Sequence, residues 1–348
     1  MDVQIGVIGF GWMAFYHYKD IIPKDEGVKI VSAFDIDPAR LEFAQSLGIT
    51  PYDKLDAFFK SGINTVLVAT PNDKHKEYCI AALNAGMNVI CEKPVTLSAE
   101  DLKEVIKVSE AAGKLFTVHH NRRKDRDFCI VKKAVEDGLI GKPFFIESRV
   151  QGANGIPSDW RRVEEAGGGM VLDWGIHLVD QLLYMVKEPV IQVYSLLKYI
   201  NYTVDDNIKI FLEFEGGLSA QVEVCTTCFQ SLPRWHVLGS DGTLDIKDFA
   251  CEGSIVRGTV KEVDWSLEAV KTAAGSTRTM RPRPEDTIET LPLPDVKVQW
   301  TDYYRNFYAA ANGKAELLVK PQEVLRTMQV NDLIFASAKQ GKSIECRI

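Results

Sequence analysis

Val3-Gln4-Ile5-Gly6-Val7-Ile8-Gly9-Phe10-Gly11-Trp12-Met13-Ala14 opens the chain with an apolar run that ends in a glycine turn. Six mostly branched residues followed by glycine predict a buried strand, and the pattern beyond them predicts a helix through about Ile22. Gly9, Gly11 and Ala14 fall on the three small positions of a dinucleotide-binding fingerprint. The first permits the tight turn, the second lets the backbone approach a pyrophosphate, and the third lets helix pack on strand. The helix N-terminus would then face the phosphates, with Phe10, Trp12 and Met13 completing the expected cofactor-binding turn.

The chain continues in the same rhythm. A second strand is expected at Val28-Asp35, and Asp37-Pro38 supplies a cap and an N1 proline for a helix through Leu47. Further strands are expected at 65–69, 88–91 and 115–119, separated by helices over 73–85 and 98–112. Such alternation implies a parallel sheet covered by helices on both faces, an α/β doubly wound arrangement. Asp35 closes its strand 24 residues beyond Gly11. There it can bond the adenosine ribose hydroxyls and would repel a 2′-phosphate, so NAD is favoured over NADP. Arg40 could tolerate such a phosphate but lies inside the helix, and it is discounted for that reason.

After Asn121 the rhythm changes. A helix is expected near 124–136, then strands dominate: Ile208, Ile210, Leu212 and Phe214 alternate with mostly polar neighbours, turn at Gly216-Gly217, and return through Leu218, Ala220, Val222 and Val224. A second hairpin is expected over 234–246, turning at Asp241-Gly242. The stretch 253–295 has little clear period and reads as sheet excursions and loops, and helices at 302–311 and from Pro321 to Gly341 close the chain. The division expected is a nucleotide-binding domain over residues 1–121 and a second, α+β domain over 122–348, in keeping with a length of 348 residues.

Bulk properties exclude several classes. With 48 acidic against 41 basic residues and a net charge of −7, the chain lacks the footprint of a nucleic-acid binder. Its apolar runs are strand-sized, so no membrane span is expected, and the N-terminus resembles no secretory signal. The seven cysteines are scattered and read as free thiols in a cytoplasmic protein. Cys225-Thr226-Thr227-Cys228 places its cysteines on opposite faces of a strand, so no metal site is expected.

Two distant motifs carry the chemistry. Glu92-Lys93-Pro94 follows a strand at its carboxyl end, where Lys93 could hold a substrate hydroxyl and stabilise the alkoxide formed as hydride leaves. Gly167-Gly168-Gly169 precedes a helix whose Asp173, His177 and Asp180 are spaced to share one face. His177 suits proton exchange near neutrality, a neighbouring carboxylate could orient it, and Asp180 is read as a structural partner. Thr70-Pro71-Asn72 with His75 would sit at the carboxyl edge of the sheet, where ligands bind in such folds. For Asn72, cofactor contact and helix capping are equally open. Trp160 and Trp174 offer faces that suit a sugar ring, although core packing is the favoured reading.

The chain resembles the glucose-fructose oxidoreductase, inositol dehydrogenase and MocA family over essentially its whole length. The resemblance rests on Gly9-x-Gly11-x-x-Ala14, Thr70-Pro71-Asn72-x-x-His75, Glu92-Lys93-Pro94, Asn121-Arg122-Arg123, Trp160-Arg161 and Asp173-x-x-x-His177. It implies an N-terminal Rossmann domain and a C-terminal domain with a large open, mostly antiparallel sheet. It also implies hydride transfer at a sugar or polyol carbon, with catalytic Lys93, Asp173 and His177. Cofactor contacts are implied from Glu92, Lys93, Asn121, Trp160 and Arg161 besides the turn residues, and a homodimer or homotetramer built on the open sheet. The activity expected is NAD-dependent oxidation of a secondary hydroxyl of a sugar, glycoside or inositol-type polyol. The alternatives are an NAD-dependent redox-cycling glycosidase or lyase and a non-catalytic nucleotide and sugar sensor.

Overall fold

A computed structural model describes residues 2–22, 27–263, 269–277 and 282–348. The first sheet is six-stranded and parallel. Its strands are β1 (Val3–Ile8), β2 (Val28–Phe34), β3 (Thr50–Tyr52), β4 (Thr65–Val68), β5 (Asn88–Cys91) and β6 (Phe116–Val118), in the order β3-β2-β1-β4-β5-β6. The order reverses at β1, so the glycine turn after Ile8 opens onto the crevice where doubly wound sheets bind ligands. β3 was not among the expected strands. Three residues with a central proline carry little periodic signal, and only an edge position tolerates the missing amide.

The helix after the turn is α-helical over Trp12–Tyr16 and continues as a π-helix over His17–Ile21. Asp37 accepts a hydrogen bond from the Ala39 amide at 2.9 Å and caps helix Pro38–Ser46, as its spacing with Pro38 suggests. The expected helix at 124–136 starts later, at Arg126, because a 3₁₀ turn occupies Asn121–Lys124.

The second sheet has nine strands, mostly antiparallel. It contains β7 (Pro143–Gln151), β8 (Val190–Lys198), β9 (Asn207–Phe214), β10 (Ser219–Cys225), β11 (Trp235–Gly239), β12 (Gly242–Ile246) and β13 (Gly253–Gly258). A small separate hairpin pairs β14 (Val270–Thr272) with β15 (Gly275–Thr277), and β16 (Ile288–Leu291) and β17 (Ile344–Glu345) form the edges of the large sheet. Among the described residues its one parallel pair is β7 with β10. Leu212 faces Ala220 and Ile210 faces Val222, so the alternation seen in sequence becomes one buried face. Helices Arg126–Glu136 and Ile176–Met185 cover that face.

Helix Pro321–Gln340 ties the two halves together. Val324 and Met328 belong to the core of the first sheet, whereas Val330 and Ile334 belong to the core of the second. Tyr303, Tyr304 and Phe307 from helix Asp302–Ala311 also pack into the first core. The end of the chain thus fixes the first sheet against the helix that carries His177.

Candidate active site

A cavity of about 950 Å³ lies between the carboxyl edge of the first sheet and the glycine-rich helix of the second. That is the size of a site for a cofactor and a small molecule together. Gly9 has φ +87°, and a Cβ there would stand 2.9 Å from the Ala69 carbonyl oxygen, so only glycine makes this turn. Gly11 has no heavy atom within 4 Å of where a Cβ would stand, so the space before the helix N-terminus is open. No side chain caps that terminus. These features fit a dinucleotide pyrophosphate. Phe10 turns its ring into the core and contributes its backbone to the turn, while Trp12 and Met13 line the cavity.

Asp35 lies on the cavity wall, and its carboxylate accepts the amides of Phe10 at 2.7 Å and Asp37 at 2.9 Å. The bonds fix its orientation and leave lone pairs for a ribose. Arg40 also lines the cavity, so its place in the helix does not remove it from the site.

At the end of β5 the Lys93–Pro94 peptide is cis. Lys93 Nζ donates to Asp173 Oδ1 at 2.9 Å and to the Asp173 carbonyl at 3.0 Å. Arg161 Nε stands 3.5 Å from the same carboxylate. Burial pushes the Asp173 carboxyl up, but Lys93 and Arg161 outweigh it and hold the group below its ordinary value. Asp173 is therefore engaged with cations, and among the described residues no hydrogen bond joins it to His177. His177 lies on the same cavity with its Nδ1 buried and unpartnered, which leaves Nε2 as the nitrogen able to meet a ligand. Burial, Lys93 and Arg122 together hold its imidazole well below the usual range, so it is neutral at pH 7 and competent as a base.

The three glycines explain how this helix is placed. Gly167 O accepts from Asn72 Nδ2 at 2.8 Å, which ties the helix to the first sheet. Asn72 begins the 3₁₀ turn Asn72–Lys74 without capping it, and its amide serves as this bridge. Gly168 N donates to Val163 O and Gly169 N to Arg161 O. Asp205 accepts the Val171 amide at 2.7 Å and fixes the first turn, which is π-helical over Val171–Gly175 and becomes α-helical at Ile176. Asp180, further along, pairs with Arg123. A Cβ on Gly168 would stand 2.5 Å from the Arg161 carbonyl oxygen. Gly168→Ala is therefore expected to destabilise the protein by about 1–3 kcal/mol, the usual cost of forcing a contact, read as a lower midpoint in thermal unfolding.

The remaining expected residues fall as follows. Thr70, Glu92, Asn121, Trp160 and Arg161 line the cavity. His75 lines it too, with its ring set between the carbonyls of Pro94 at 2.7 Å and Thr70 at 3.0 Å. Trp174 serves both readings: it packs against the core of the second sheet and is also part of the cavity wall, where the Arg122 guanidinium lies 3.9 Å over its ring. Sequence reasoning missed Arg122 as a wall residue, and it missed the buried cluster beneath Lys93. There Glu92 Oε1 meets His17 Nε2 at 2.6 Å and His119 Nδ1 at 2.8 Å, while Tyr304 bonds His17 Nδ1 at 2.6 Å. Residues 17, 92, 119 and 304 are too far apart for local spacing to reveal the cluster.

The buried histidines set an acid limit. Burial first, with His119 assisting, lowers His17 to about 4, and burial lowers His120 to about 4. A group whose folded value is depressed binds its proton more readily when unfolded, so stability falls as pH drops from about 6.5 toward 4, by about 2 kcal/mol per histidine at pH 5. Asp205, raised by burial to about 7, pulls the other way across this window. Denaturant unfolding at pH 7 and pH 5 is expected to show a lower free energy at pH 5.

Residues 3–120 match the family described as "Oxidoreductase family, NAD-binding Rossmann fold", and residues 128–245 match the "GFO/IDH/MocA C-terminal domain". The chain is similar to an NAD-binding protein from Listeria innocua, with a TM-score of 0.94 and 40% identity over 99% of both chains. It is 32% identical over 269 residues to the myo-inositol 2-dehydrogenase of Thermotoga maritima, covering 75% of this chain and 76% of the relative. It is 27% identical over 255 residues to the scyllo-inositol 2-dehydrogenase (NAD(+)) of Bacillus subtilis, covering 70% and 74%. With its turn, cavity and paired domains in place, the chain belongs to the GFO/IDH/MocA family of NAD-binding oxidoreductases that act on CH–OH groups.

Proposed function

We propose that this oxidoreductase oxidises a secondary hydroxyl of a sugar, glycoside or inositol-type polyol to a ketone. The observation that carries the reading is one cavity lined by Lys93, Asp173 and His177 together with Gly9 and Gly11 of the turn. NAD, when bound, supplies the hydride acceptor. Lys93 donates to the substrate oxygen and stabilises its developing negative charge. Asp173 holds the Lys93 ammonium in place, and neutral His177 receives the hydroxyl proton at Nε2. Trp174 and Trp160 offer aromatic faces to the C–H surface of a ring.

Residues 1–121 would bind the nucleotide and residues 122–348 the substrate. Asp35, together with Glu92, Asn121 and Arg161, would hold NAD. Asp35→Ser is expected to weaken NAD and admit NADP, whose extra phosphate Arg40 can meet, and KM measured for both cofactors checks this. The reading extends to a homodimer or homotetramer through the open face of the second sheet. Tyr194 stacks on Phe211 there at 6.1 Å, and Leu196 is 38% exposed. All seven cysteines are free, which suits a cytoplasmic location. No helix among the described residues is long and apolar enough to cross a membrane. The test of the activity is NADH formation with a panel of inositols, sugars and glycosides. A panel that yields NADH with none of them would remove this reading.

A further inference from the structure

His120 and His177 are both buried, and their ring centroids lie 6.3 Å apart at an interplanar angle of 84°. Nδ1 of each ring lacks a hydrogen-bond partner among the described residues, which is costly for a buried polar atom. The ionisable groups facing His177 are Lys93, Arg122, His120 and His119. Those facing His120 are Asp180, Arg123, Lys93, His119 and His177. Among these groups an acceptor for His177 is scarce. Asp180 is held by Arg123 through two bonds of 2.7 Å; His119 Nδ1 is engaged with Glu92, and its Nε2, buried and unpartnered among the described residues, belongs to a ring packed on His17 and Tyr303. Asp173, beside Lys93, is taken by that lysine and Arg161. His120 is the histidine whose ring meets that of His177 edge-on, and its own Nδ1 lies 3.6 Å from Asp180 Oδ2.

We propose that His120, backed by Asp180, is the positioning residue that keeps His177 in the tautomer protonated at Nδ1 and so frees Nε2 for the substrate. Asp180 accepts from His120 Nδ1–H, and His120 Nε2 accepts from His177 Nδ1–H. In this structure His120 Nδ1 stands 3.6 Å from Asp180 Oδ2, longer than a formed hydrogen bond, and His177 Nδ1 has no partner among the described residues; catalytic contacts often tighten only when a ligand closes the site. The inference rests on the role given to His177 above. In the reaction the substrate O–H bond breaks and its proton goes to His177 Nε2, while the C–H hydride goes to NAD. The imidazolium so formed shares its Nδ1 proton with His120, next to the Asp180 carboxylate. That arrangement suits a cation formed beside Lys93 and Arg122, which both disfavour it.

The experiment is ¹⁵N NMR of the NAD-bound protein labelled at histidine, whose six residues keep the spectrum readable. Wild type is expected to show His177 protonated at Nδ1 and bare at Nε2. His120→Phe and His120→Met remove the acceptor and are expected to shift His177 to a mixture of tautomers. His120→Gln, which keeps an acceptor oxygen, is expected to restore the wild-type pattern. Unchanged His177 signals in a folded His120→Phe or His120→Met protein would overturn the proposal. The expected kinetic counterpart is a fall of about tenfold or more in kcat with KM little changed and a displaced acid limb, recovered in the glutamine variant. Because the NMR readout needs no substrate, it fails or succeeds independently of the polyol assay.

Discussion

Replacing Lys93 with methionine is expected to lower turnover by about 10²–10⁴-fold, the range for a lost proton-transfer or charge-stabilising group. NAD is still expected to bind, because Asp35 and the Gly9–Gly11 turn are untouched, with some loss of affinity because Lys93 is itself an expected cofactor contact. Two further effects follow from charge. Lys93 lowers the Asp173 carboxyl and the His177 imidazole, so both are expected to titrate at higher pH in Lys93→Met. Arg161 still faces Asp173, so the carboxylate keeps a cationic partner in the variant. Stopped-flow turnover and NAD titration by fluorescence check the two halves separately.

Asp180→Ala is expected to have the largest effect on stability. Arg123 is 4% exposed and donates from Nε and a terminal nitrogen to the two Asp180 oxygens at 2.7 Å each. Removing the carboxylate leaves a buried guanidinium with Glu323 as its remaining anionic partner. Breaking one side of such a pair costs about 3–5 kcal/mol, which denaturant unfolding would read as a large drop in midpoint. The pair joins the 3₁₀ turn after β6 to helix Ile176–Met185, and Thr327 adds a contact from helix Pro321–Gln340. Its loss is therefore expected to loosen the placement of His177 as well. Arg123→Met in the Asp180→Ala background is expected to recover stability, because it removes the stranded charge.

Much of this was legible in the sequence because the decisive signals are local. The glycine turn, the Asp37-Pro38 cap, the hairpins at Gly216-Gly217 and Asp241-Gly242, and the two closing helices each depend on residues a few positions apart. Lys93, Asp173 and His177 could be named for the same reason, since each sits in a short motif. What escaped is what depends on long-range contact. β3 is set by pairing with β2, and the π-helical turn at Val171–Gly175 is set by Asp205 and the glycine contacts. The helical spacing places Asp173, His177 and Asp180 on one face and reads Asp180 as a structural partner. In the fold, Asp173 turns to Lys93 and Asp180 to Arg123, leaving His177 between two ion pairs. Trp174 packs against the second core, as its apolar neighbours suggest, and the stack with Arg122 makes it a wall of the cavity as well.

In the proposed reaction Lys93 and His177 serve one hydride transfer on a ring hydroxyl. Its most direct test is NADH formation from the polyol and sugar panel, run in parallel on wild type, Lys93→Met and His177→Ala with NAD binding measured for each. NADH is expected from at least one cyclic polyol or sugar with wild type, with near-complete loss in both variants while NAD still binds. Wild-type rates in either variant would contradict it.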